Sequence, residues 1–237
     1  MGKIALMLAL VVLLTRKSKA AVGQSQPPGS SIEAPTSSLD SFIPIELMSG
    51  AEYIQAVYNW GTPYLDSVAG YWTLPRLKAL TIAAADYWDV PAEYLWGISE
   101  RESGGHKLVL LYGAGSPGQW KGAGAAIARP ENSVGMYQIL RSRYESEQKM
   151  YPANFPWYHY QLADPVVSAF TAAADLRRGF DKGSVEDDDA YSAAYWWAQN
   201  KTGALKKEKD IRDHGYDVFS GVDESFDPID VIPVELI

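Results

Sequence analysis

The chain is predicted to fold as a mostly α-helical domain carried behind an N-terminal membrane segment and a flexible tether. Three observations predict this. Apolar residues recur at helical spacing in segments bounded by capping residues and glycines, over 73–88, 90–105, 164–179 and 190–203. The composition, 47% hydrophobic and 21% charged over 237 residues, is that of a globular chain long enough for one sizeable domain with additions. The first twenty residues contain an unbroken apolar run, Ile4 to Leu14, and the next twenty are rich in Gln, Pro, Ser and Gly.

That apolar run has Lys3 before it and Arg16, Lys17 and Lys19 after it. Its length suits the core of a signal peptide, and Ser18-Lys19-Ala20 offers the small residues of a cleavage site. The basic residues directly after the run favour an uncleaved short anchor instead. Residues 1–20 are therefore expected to localise the protein at a membrane, and 21–40 to act as the tether. Of the 21 basic residues, four lie in that first segment, leaving 17 against 29 acidic residues in the remainder, a net of −12. A body so acidic excludes nucleic acid as a partner. The absence of cysteine excludes disulfides, thiol nucleophiles, cysteine-based zinc sites and a lipoprotein anchor. Eight Trp and fifteen Tyr suit either a sugar-binding surface or a large core.

Within the expected domain, 41–220, the stretch from Ala51 to Trp72 reads as helical pieces interrupted by Gly61-Thr62-Pro63 and Gly70. Thr73 and Pro75 open the next helix, whose core face is Leu77, Leu80, Ala84, Tyr87 and Trp88. Asp89 and Pro91 open a further helix that Gly104-Gly105 closes, with Leu95, Ile98 and Glu102 on one face and Glu93 and Glu100 turned away. Partial desolvation and the negative end of the helix dipole both favour the protonated form of Glu102, which would make it a proton donor. The glycine-rich stretch 112–130 reads as a loop without a phosphate-binding pattern. The aromatic-rich 150–161 offers ring faces that could stack on sugars or cover the core. Asp164-Pro165 caps a helix running to Gly179, and the acidic run Glu186 to Asp189 supplies the first turn and cap of the helix that ends near 201–203. His106, His159 and His214 lack metal-ligand spacing, so no metal or other cofactor is expected.

Glu102-Ser103-Gly104, behind the helix opening Val90-Pro91, resembles the Glu-Ser-Gly signature of the soluble lytic transglycosylase family, lysozyme-like enzymes that cleave peptidoglycan. Gly135-Met136-Tyr137-Gln138-Ile139 resembles that family's Gly-Leu-Met-Gln-Ile motif, with Tyr137 replacing Met. Asp164-Pro165 is similar to its Asp-Pro-led helix, and Ala194-Tyr195 stands where the family has Ala-Tyr-Asn-Ala-Gly, with Trp196 replacing the Asn. The motifs occur in family order across residues 72–205, and the spacing from Glu102 to Gly135 implies an inserted lobe.

The resemblance implies a lysozyme-like domain with a cleft between lobes, acting on the glycan strands of peptidoglycan. Glu102 would protonate the oxygen between N-acetylmuramic acid and N-acetylglucosamine, then take the proton from the C6 hydroxyl as it closes on C1. The product would end in 1,6-anhydromuramic acid. Ser103, Gly135 and Gln138 would contact substrate and Tyr195 would orient Glu102. No second acid stands at a matched position, which fits single-carboxylate chemistry. A goose-type muramidase, with Asp164 or an acid in the glycine-rich insertion activating water, is one alternative. A non-catalytic glycan-binding protein of an envelope or virion is another. Localisation at a cell envelope facing the wall, or at a virion membrane, is expected. Finally, Ile43-Pro44-Ile45-Glu46-Leu47-Met48 is echoed by Ile232-Pro233-Val234-Glu235-Leu236-Ile237. The segments 41–48 and 230–237 could be two covering strands or two docking peptides for a partner, the second lying in a C-terminal tail expected at 221–237.

Overall fold

The structure, a computed structural model, describes residues 61, 64–68, 70–104, 106–108, 133–152, 154 and 159–228. Residues 1–40, both copies of the aliphatic echo, the glycine-rich stretch 112–130 and the aromatics Phe155, Trp157 and Tyr158 lie outside them. The described chain is mostly helical, as its periodicity predicts.

Helix α1, Leu74–Trp88, opens after Thr73 with Pro75 in its first turn, where a missing N–H costs nothing. Leu77, Leu80 and Ala84 are buried as expected. Tyr87, expected on the same face, is half exposed and lies with its ring 5.5 Å from that of Phe170. The helix ends at Asp89, whose left-handed backbone (φ 53°) lets its N–H reach the carbonyls of Ala85 and Asp86. Asp89 therefore closes α1 rather than opening the helix that follows.

Helix α2, Ala92–Ser103, is the central element. Tyr94, Leu95, Trp96, Gly97, Ile98 and Ser99 are all buried, more than one apolar stripe requires, because neighbours surround the helix. A β-carbon on Gly97 would stand 2.3 Å from Ile211 Cα, and one on Gly215 would stand 2.6 Å from the Glu93 carbonyl oxygen. Two glycines thus let α2 and helix α6, Lys201–His214, pack backbone to backbone. Glu93 precedes Gly97 by a turn and Gly215 follows Ile211 by a turn, so the helices run antiparallel. That register brings Lys207, one turn before Ile211, to Glu102 in the last turn of α2.

Residues 133–140 form a small antiparallel hairpin, β1 (Ser133–Val134) and β2 (Ile139–Leu140), with Ser133 opposite Leu140. It leads directly into α3, Arg141–Met150. A 3-10 turn, His159–Ala163, precedes α4, Pro165–Asp181, which Asp164 caps by accepting the Val166 N–H at 2.8 Å. Helix α5, Ala190–Ala198, is capped by Asp189 as expected of the end of the acidic run. The expected helix end near 201–203 is instead a junction. Gln199 turns left-handed (φ 54°), and Asn200 starts α6 by accepting the Gly203 N–H at 2.7 Å.

A last 3-10 turn, Gly215–Phe219, is held by the Lys78 ammonium, which donates to the carbonyls of Asp217 and Ser220 at 2.5 and 2.6 Å. Residues 223–226, expected within a tail, pack back on the domain. Asp223 pairs with Arg76 at 3.3 Å, and Phe226 sets its ring edge-on to Trp72 at 5.7 Å. Among the described residues no helix is long and apolar enough to cross a membrane.

Candidate functional site

Six elements converge on a cleft of about 590 Å³, a size suited to a small ligand or a few sugar rings. The end of α2 contributes Glu102 and α6 contributes Lys207. The hairpin contributes Ser133, Gln138 and Leu140, and α3 contributes Ser142, Arg143 and Ser146. Arg178 and Lys182 come from the end of α4, and Trp196 to Gln199 from the end of α5.

Glu102 and Gln138, two of the residues expected at a site, meet here from distant parts of the chain. The Glu102 carboxylate is 21% exposed and sits 2.8 Å from the Lys207 ammonium. The lone carboxyl expected from the sequence is thus half of an ion pair. Gln138 is buried, and both ends of its amide are engaged within the hairpin. Nε2 donates to the Gly135 carbonyl at 2.7 Å, and Oε1 accepts from Ser133 Oγ at 2.8 Å. It forms part of the cleft wall and braces a turn in which its own backbone is left-handed (φ 51°).

The other three expected residues lie elsewhere. Ser103 is buried, with its hydroxyl donating to the Ser99 carbonyl at 2.7 Å along its own helix. Gly135 (φ 81°) is needed for packing, because a β-carbon there would stand 1.9 Å from the Leu162 carbonyl oxygen. Tyr195 is 48% exposed beside Tyr191, and it is absent from the cleft lining. The indoles of α5 that line the cleft are the next two residues, Trp196 and Trp197. Tyr137, the departure from the motif, is fully buried with its hydroxyl 3.3 Å from Thr81 Oγ1.

Sequence reasoning missed the cationic wall. Arg143 approaches Asp175 at 3.3 Å, donates to the carbonyls of Trp196 and Trp197, and lies over the Trp197 ring at 4.7 Å. Arg178 bridges Asp175 and Glu147, reaching Glu147 Oε1 at 2.9 Å. Both acids are completely buried, and burial together with the neighbouring Asp175 pushes the Glu147 carboxyl up to about 8. Burial beside Asp175 thus favours the protonated form of Glu147. Arg143, Ser142 and Ser146 fall on one side of α3 at helical spacing. That was the available signal, but it pointed to no partner.

Two other constellations carry less chemistry. A larger hollow of about 790 Å³ is lined by Asp86, Asp89, Glu186, Asp187 and Arg177, holds none of the expected residues, and has Arg177 tied to Asp89 and Asp181. His106 stacks on Trp96 between Ser99 and Glu100, which resembles a nucleophile, base and acid in line. Ser99, however, is fully buried and its hydroxyl donates to the Trp96 carbonyl at 2.9 Å, out of reach of any substrate. Burial holds the His106 imidazole down to about 3, hence neutral. His159 is likewise buried, with Nε2 2.8 Å from the Ile139 carbonyl oxygen, and burial lowers it to about 4. Among the described residues no three His, Asp or Glu side chains come together as metal ligands. Neither a protein-family model, nor a curated protein, nor a solved structure matches the chain.

Proposed function

We propose that the protein is a peptidoglycan lytic transglycosylase of lysozyme-like architecture, with Glu102 as its single catalytic carboxylate. The observation that carries the reading is that Glu102 is the sole acid among the described residues lining the cleft. A retaining or inverting hydrolase places two carboxyls about the scissile bond, roughly 5 to 9.5 Å apart. Asp164, one of the two sources of an acid open to the hydrolytic alternative, caps α4.

The reaction needs Glu102 first as an acid, and the Lys207 contact supplies the proton. Glycan filling the cleft excludes water, and a neutral amine and carboxylic acid cost less to bury than two charges. The proton then moves from Nζ to Oε1 across the 2.8 Å contact. Glu102 passes it to the glycosidic oxygen as the C1–O bond breaks, and N-acetylglucosamine leaves as an alcohol. The carboxylate so formed takes the proton of the C6 hydroxyl as that oxygen bonds to C1, closing the 1,6-anhydro ring without water. Returning that proton to Lys207 resets the pair. Gln138 contributes to the wall, whereas Ser103, Gly135 and Tyr195 lie outside the cleft lining and make no substrate contact. Residues 1–20 would hold the enzyme at an envelope or virion membrane, facing the wall.

The ion pair also favours a second reading, a glycan-binding protein without catalysis in which Lys207–Glu102 is a structural strut. A zymogram on purified peptidoglycan, with mass analysis of the products, separates the readings. Wild type should clear the gel and release products ending in anhydromuramic acid, and Glu102→Gln should lose at least about 10²-fold in rate while keeping its helical spectrum. Binding without clearing would establish the second reading. Reducing-end products would restore the hydrolase.

A further inference from the structure

The cleft carries charge of the sign opposite to the molecule. Net charge is −8 overall, yet four of the five ionisable side chains lining the cleft are cations, opposed there by Glu102 alone. Three of these cations are spent on the protein itself: Lys207 on Glu102, and Arg143 and Arg178 on the buried acids behind the wall. Lys182 is different. It is exposed at the C-terminal cap of α4 and makes no ion pair among the described residues.

Its ammonium lies 5.7 Å from the Trp196 ring centroid, and the Arg178 guanidinium 5.4 Å from it. The ring is fixed in place. Its N–H donates to the Asp175 carbonyl at 2.9 Å, and its six-membered ring packs on Gly179, where a β-carbon would come within 3.1 Å. A rigid aromatic plane flanked by an unspent ammonium offers a carboxylate a partner and an adjoining sugar ring or peptide a surface.

We propose that Lys182 and Trp196 form a subsite for a carboxylate borne by the glycan, so that the cleft selects acidic glycan over neutral glycan. The inference rests on the reading of the cleft as a peptidoglycan site and names which feature of that polymer it grips. Two sources supply this chemistry: the carboxylates of the stem peptide, and the lactyl carboxylate of muramic acid, which is free once the peptide is removed.

The test is calorimetric titration of the full-length protein carrying Glu102→Gln, so that no ligand is cleaved, with and without Lys182→Gln. Three tetrasaccharides serve as probes: peptide-bearing glycan, peptide-free glycan with its lactyl carboxylate, and neutral chitotetraose. Adding Lys182→Gln should weaken the peptide-bearing ligand, the peptide-free ligand or both by about tenfold, the loss of one charge-assisted contact. The affected ligand identifies the source, and chitotetraose binding should not change. The subsite is overturned if binding of all three is unchanged, if chitotetraose loses as much as the acidic ligands, or if none binds. Failure of the catalytic reading looks different. Wild type would then leave the zymogram uncleared while Lys182 still discriminates acidic from neutral glycan.

Discussion

In the proposed mechanism Lys207 supplies the proton of Glu102, so a charge-conserving replacement should harm turnover more than a neutral one. Arginine at 207 would keep a cation beside the carboxylate but cannot release a proton at any accessible pH. Methionine would remove the cation and leave solvent in the open cleft as the proton source for Glu102. Turnover on peptidoglycan should therefore rank wild type, Lys207→Met, Lys207→Arg, with the arginine variant down by roughly 10²-fold, the scale of a lost general acid. Single-turnover rates for the three proteins check the order. Arginine performing as well as lysine would show that position 207 only orients Glu102. Nothing near Glu102 in the sequence announces this pairing, since the two residues are 105 positions apart and meet only through the packing of α2 on α6.

That packing is legible in part. Helix α4 could be read because Asp164 and Pro165 mark its start and a long apolar run follows. Helix α6 could not be read from periodicity, because only Ala204 and Ile211 of its fourteen residues are buried. Its local signals were the Asn200 cap and the i,i+4 pairs of Glu208 with Arg212 and Lys209 with Asp213. The role of Gly97 was hidden for the same reason, since a glycine amid buried residues gives no sign of what crosses it. Gly97→Ala should cost about 2 to 4 kcal/mol, because the clash at 2.3 Å is with backbone and α6 must move away. Gly104→Ala is the control. Its β-carbon would meet nothing within 4 Å, so only its left-handed φ of 61° is at stake, about 1 kcal/mol. Urea unfolding midpoints compare the two, and equal losses would show that α2 and α6 are not in backbone contact.

At the scale of the whole molecule, three buried groups make stability depend on pH in a way that composition cannot reveal. His106 and His159 are depressed by burial to about 3 and about 4 from 6.5, so each imidazole is neutral when folded but would be protonated in the unfolded chain below pH 6.5. Glu147 is raised from 4.5 to about 8, so it is protonated when folded but ionised in the unfolded chain across that interval. At these three groups, between pH 4.5 and 6.5, the unfolded chain binds two protons on the histidines and the folded chain one on Glu147. Stability therefore rises with pH. Between 6.5 and 8 the histidines no longer differ and only the Glu147 proton remains, on the folded side. Stability falls, by on the order of 1 to 2 kcal/mol at about 1.4 kcal/mol per pH unit for one proton. The maximum is thus expected near pH 6.5, well above the sequence isoelectric point of about 4.9. Surface carboxylates are already ionised throughout the falling limb and contribute little to it. Denaturant titrations from pH 4.5 to 8.5 should trace the rise and the fall. Glu147→Gln, which leaves Arg178 paired with Asp175, should lose the alkaline fall while keeping the acid rise. A wild-type profile flat from pH 6.5 to 8 would mean that Glu147 is ionised in the folded protein.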